Sequence, residues 1–173
     1  MIIVEAIIMV VFPFAMIYAA FSDAFTMTIA NRISLLLIAS FLAVSPFIGL
    51  SIFGFGMHLL AFATVLAVTF TLFQLGTMGG GDAKLLASTS LWIGWSPLLM
   101  EYLVITAIVG GMLTVTLMAF RGSNAAAVAS EVPQLKLLAT AKKIPYGIAL
   151  GLGGLWVFPF TPAMQWVILQ FAL

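Results

Sequence analysis

Long apolar runs broken by short polar junctions organise this chain. Ile2–Phe21 carries Glu5 as its only formal charge, and the 49 residues from Ile33 to Gly81 carry none. A helix crosses a bilayer with about 20 predominantly apolar residues, so the second run alone holds two crossings. Six transmembrane helices are predicted, over Ile2–Phe21, Ile33–Leu50, Gly56–Leu75, Ala83–Trp95, Leu98–Phe120 and Tyr146–Phe160. The fold class is therefore all-α, a polytopic membrane protein forming one membrane-embedded domain over residues 1–173. The first run lacks the positive n-region of a secretory signal and reads as a retained span.

The breaks have their own chemistry. Pro46, Gly49, Gly54 and Gly56 separate spans two and three. Ser96 and Pro97 read as an N-cap and first helical position, which makes a tight turn between spans four and five. Span four is short, so it is expected to tilt or to begin beside a water-filled cavity. Pro159 and Pro162 interrupt the last run, which leaves a kinked sixth span and a separate short helix both open. Gly147 and Gly151 have the small-xxx-small spacing that lets membrane helices approach closely.

Composition sharpens the picture. The chain is 64% hydrophobic and 6% charged, with a mean hydropathy of +1.28. A soluble domain of this length cannot bury so much apolar surface, so the lipid bilayer is a partner. A net charge of +1 is not the basic balance of a nucleic-acid binder. With no cysteine and only His58, thiol nucleophiles, thiolate metal sites and histidine clusters are excluded, and neither metal nor organic cofactor is expected. No Gly-Lys-Ser or Gly-Lys-Thr follows the glycine triplet at 79–81, which argues against a nucleotide loop.

The cations set the orientation. Arg32, Lys84, Arg121, Lys136, Lys142 and Lys143 all fall on alternating connections. The positive-inside bias puts those connections in the cytoplasm and both chain ends outside. Asp23 and Asp82 then share the cytoplasmic side, whereas Glu5 and Glu101 lie toward the other. Between Arg121 and Pro145, Val132, Leu135, Leu137 and Leu138 with nearby lysines describe either an amphipathic segment on the inner leaflet or a solvated linker.

Acids at a membrane edge are costly and tend to be functional. Hydrolysis of a peptide bond needs one group that takes a proton from water and another that donates one. Two neighbouring carboxyls do both, because they cannot both ionise cheaply and so hold one proton between them. Asp23 and Asp82 are the candidate pair, and the sequence does not distinguish base from acid. Gly79, Gly80 and Gly81 precede Asp82 and leave room for an extended substrate backbone. The ordinary structural account is helix capping by each aspartate.

Gly79-Gly80-Gly81-Asp82-Ala83-Lys84-Leu85 resembles the G-x-G-D motif of intramembrane aspartic peptidases, and specifically the short type IV prepilin peptidases. Asp23 with Thr28-Ile29-Ala30-Asn31-Arg32-Ile33 is similar to that family's first catalytic block, and Lys143-Ile144-Pro145-Tyr146-Gly147 to the entry of the last span in the tight-adherence (Flp) pilus branch. The resemblance implies a bacterial inner-membrane enzyme that removes the basic leader of prepilin-like precursors at the cytoplasmic face, with Asp23 and Asp82 catalytic. Ala30 stands where the family usually has proline, which leaves the turn into span two less rigidly set. The cytoplasmic domain linked to methylation in long family members is absent from the sequence, so methyltransferase activity is not expected.

Other residues take quieter parts. His58 reads as a packing or interface residue, and Glu101 suits the positive end of its helix. Trp92, Trp95, Tyr102, Trp156 and Trp166 are expected in an outer interfacial belt. Lys84 snorkels to the headgroups or meets an acidic residue of the substrate. Two other functions fit the same acids: a small proton-coupled transporter and an inactive pilus-assembly scaffold.

Overall fold

The computed structural model describes residues 1–132, 136–140 and 143–171. Apolar stretches fold into helices because a backbone in hydrocarbon must satisfy its hydrogen bonds internally, and no strand occurs among the described residues. The helices are α1 (Ile2–Thr26), α2 (Asn31–Val44), α3 (Ile52–Gln74), α4 (Gly80–Ile93), α5 (Pro97–Arg121), α6 (Asn124–Ser130), α7 (Lys136–Thr140), α8 (Gly147–Val157) and α9 (Pro162–Phe171).

Three of them, α1, α3 and α5, are long and apolar enough to cross a membrane. A 3-10 turn over Phe158–Phe160 joins α8 to α9, and the pair, bent by 44°, qualifies together as a fourth. The break falls at Pro159 and Pro162, as the sequence leads one to expect. Helices α2 and α4 have 14 residues each, fewer than the roughly 20 that a lipid-exposed span requires. Much of the expected amphipathic segment, including Leu135 and the side chain of Leu137, lies outside the described residues, as does Lys142.

Helix α4 tolerates its shortness because protein surrounds it. All its residues from Leu85 to Ile93 are buried, and α2, α3 and α8 pack around it. Trp92, one residue from its C-terminal end, donates Nε1–H to the Leu37 carbonyl at 2.9 Å and meets the rings of Phe12 and Phe41 at 5.3 and 5.9 Å. His58 is also buried. Its Nδ1 pairs with the Leu91 carbonyl at 2.7 Å, and its ring lies over Gly94, where a Cβ would fall 3.0 Å from the imidazole. The packing account of His58 therefore holds.

The expected aromatic belt needs correction. Trp92 and Tyr102 are fully buried, because α4 is enclosed and because Tyr102 faces Gly153 of α8. Trp95 and Trp156 are exposed, and Trp156 donates to Glu101 at 3.2 Å.

Helix α8 lies between α1 and α5, and its glycines make that possible. A Cβ on Gly151 would come within 2.7 Å of the Met16 carbonyl, and one on Gly154 within 2.6 Å of Met16 Sδ. On the opposite side Gly153 abuts Thr106 and Tyr102. The Gly147 and Gly151 spacing is thus used for packing on the α1 side, while Gly153 serves α5.

Candidate active site

Asp23 occupies the last turn of α1. The helix stops at Met27, whose φ of 53° is left-handed and whose N–H returns to the Asp23 carbonyl. A non-glycine residue in this region costs on the order of 1 kcal/mol. Hydroxyls hold the turn: Ser22 donates to the Thr28 carbonyl at 2.9 Å, and the hydroxyls of Thr26 and Thr28 pair at 2.7 Å. The Asp23 side chain is buried and accepts the backbone N–H of Gly147 at 2.7 Å.

Asp82 lies in the first turn of α4, whose N-cap is Gly79. Three residues past the cap, its carboxylate turns back toward the Gly79 backbone, in the manner of the reciprocal half of a capping box. A Cβ on Gly79 would stand 2.6 Å from Asp82 Oδ2, so glycine is needed for that approach. The capping account of Asp82 is therefore realised in part, at the N3 position rather than at the cap.

Ile29 connects the two acids' surroundings. A Cβ on Gly81 would lie 3.0 Å from Ile29 Cβ, and one on Gly147 would lie 2.9 Å from Ile29 Cδ1. The side chain wedges between the start of α4 and the start of α8, and only glycines at both places admit it.

Asp23 and Asp82 line one cavity of about 860 Å³. Gly79, Gly80 and Gly81 form one wall, Leu72 and Phe73 of α3 another, and Lys143, Ile144 and Tyr146 lead into α8 on a third. The volume suits a short stretch of peptide. Asp82, ahead of the apolar part of α4, has its carboxyl pushed up to about 7 by burial and then by the Asp23 charge, against the Gly79 hydrogen bond and the Lys143 cation. Such a carboxyl keeps its proton in about half of the molecules at neutral pH.

Of the sequence candidates, Asp23, Asp82 and Gly79 to Gly81 come together here. Lys84 is exposed, lies off this cavity wall and donates to Asn31 Oδ1 at 2.9 Å. The cation on the wall is Lys143. Residue pattern alone assigns no part in this cavity to Lys143, Ile29, Met27 or Thr114, which all line it; the glycine at 147, ahead of an apolar run, is the one available signal for the Asp23 contact.

No curated protein and no solved structure matches the chain. A family model described as the type IV leader peptidase family matches residues 10–119. That segment is more than half of the sequence and includes both aspartates and the glycine triplet, while the α8 entry lies beyond it. The all-helical membrane fold and this match agree with the resemblance carried by the two aspartate blocks: the chain belongs to the type IV leader peptidase family, whose members are peptidases of prepilin-type precursors.

Proposed function

We propose that the chain is an aspartic endopeptidase of the bacterial inner membrane, a single domain that cuts the basic leader from prepilin-like precursors at the cytoplasmic face. The observation that carries this reading is the convergence of Asp23 and Asp82 on one cavity at one end of the bundle. Asp82, whose raised carboxyl still holds a share of its proton near neutral pH, is the acid that donates to the carbonyl oxygen or leaving nitrogen. Asp23 is the base that takes a proton from water, its carboxylate oriented by the Gly147 N–H. No metal or organic cofactor takes part in this scheme.

The substrate backbone lies extended along Gly79 to Gly81, where the missing side chains leave main-chain groups approachable. In this reading the chain passes the membrane six times and the cavity faces the cytoplasm, which the positions of the six cations support. The α8 entry supports the tight-adherence (Flp) branch, since Lys143 and Tyr146 of that block line the cavity.

Co-production with a prepilin-type precursor tests the reading. Wild type should convert the precursor to a shorter product, while Asp23→Asn and Asp82→Asn should each lose on the order of 10²-fold or more of the rate and remain inserted. Cleavage by Asp82→Asn at the wild-type rate would overturn the aspartic mechanism. A wild-type chain that assembles pilin without cutting it would instead be a scaffold.

A further inference from the structure

A second cavity of about 650 Å³ lies on the flank of the bundle between α3 and α5. Val65, Val68 and Leu72 of α3, Leu86 of α4, and Met100 and Leu103 of α5 line it. It exists because α4, with 14 residues, is set between α3 with 23 and α5 with 25. Val68 and Met100 are 55% and 64% exposed, so the groove opens to the lipid.

Two features separate this groove from ordinary lipid-facing surface. It runs from Trp95 and Pro97, past one end of α4, to Met78 just before the other, a length of about 20 Å at the helical rise. Leu72 and Met78 are also walls of the cavity that holds Asp23 and Asp82. The groove therefore ends at the acids.

Resting on the peptidase reading, we propose that this groove holds the apolar helix of the precursor and delivers its N-terminal end to the aspartates. The occupant must be helical within the groove, because a lining that is apolar apart from Thr64, Thr69 and Ser96 cannot satisfy an open backbone along its length. Beyond Met78 the surroundings change to glycine backbone and carboxylates. There the chain leaves the helix and lies extended across Asp23 and Asp82, so the position where the groove ends sets which bond is cut. An acyl chain would fill the same apolar walls but would have no reason to continue into an acidic cavity.

Absence of cysteine makes the test direct. Single cysteines at Val68 and Leu103, and at the exposed Leu35 of α2 as a control, are placed in the Asp82→Asn chain and paired with a precursor carrying one cysteine in its apolar helix. Disulfide capture at Val68 and Leu103 but not at Leu35 is expected. Equal capture at all three positions, or capture at Leu35 alone, overturns the groove.

A second measurement needs no capture. Val68→Trp in the active chain should lower kcat/KM for the full precursor by about tenfold and leave unchanged the cleavage of a precursor peptide truncated after its cleavage junction. Equal rates for wild type and Val68→Trp on the full precursor overturn the groove while the peptidase reading stands. Failure of the wild type to cut any precursor overturns the reading itself.

Discussion

Gly147 gives its backbone N–H to Asp23 at 2.7 Å across 124 positions of sequence. The contact joins the first turn of α8 to the last turn of α1, and it closes only because glycine has no side chain. A Cβ at position 147 would lie 2.7 Å from Asp23 Cβ and 2.9 Å from Oδ2. One backbone approach thus fixes both where α8 begins and which way a buried carboxylate points.

Gly147→Ala should therefore damage catalysis more than folding. Overpacking of this kind costs roughly 1–3 kcal/mol, whereas displacing a reacting carboxylate by about an ångström costs on the order of 10²-fold in rate. Precursor cleavage and thermal unfolding in detergent, measured on the same preparation, separate the two. An alanine variant that cuts at the wild-type rate would show that the contact is incidental.

Arg121 should position the α8 entry without touching substrate. Its Nε donates to the Leu138 carbonyl at 2.8 Å and its Nη2 to the Lys143 carbonyl at 2.9 Å, so one planar guanidinium holds both sides of the connection into α8. Lysine lacks the fork. Arg121→Lys and Arg121→Ala should both lower kcat by about tenfold with a smaller change in KM, the result of misplaced rather than missing reacting groups. Full activity in Arg121→Lys would show that charge alone suffices.

Trp92→Phe should act on stability alone. The change removes the donor to the Leu37 carbonyl in a site that water does not reach, which costs about 1–3 kcal/mol. A lower unfolding temperature with unaltered cleavage per folded molecule is expected. Loss of activity in a fully folded variant would place Trp92 nearer the chemistry than its distance along α4 implies.

What the sequence made legible follows from the physics of each element. Apolar runs mark helices in lipid because hydrocarbon leaves the backbone no alternative, so α1, α3 and α5 could be drawn closely. Tryptophan is ambiguous in the same code: its ring suits an interface or a core, and the neighbours that decided for the core at Trp92, namely Phe12, Phe41 and the Leu37 carbonyl, come from other helices. The two aspartates stood out because charge is rare in this chain. The parts of Lys143, Ile29 and Gly147 at the site did not, since they arise from three-dimensional approach, and no spacing rule links position 147 to position 23.

The pH dependence of cleavage should have an alkaline limb near 7, because the reaction requires a proton on Asp82 and that carboxyl is raised to about 7. Lys143 works against the rise, so Lys143→Met removes a lowering influence and should move the limb to higher pH. Stability supplies a check that needs no substrate. The folded state holds the Asp82 proton more tightly than the unfolded chain, whose carboxyl titrates at the ordinary 3.8. Folding stability contributed by this group is complete below that value and is lost as pH rises toward 7. Asp82→Asn should flatten that decline. A limb in Lys143→Met that stays in place or moves to lower pH, together with an unchanged decline in Asp82→Asn, would mean that another group carries the proton.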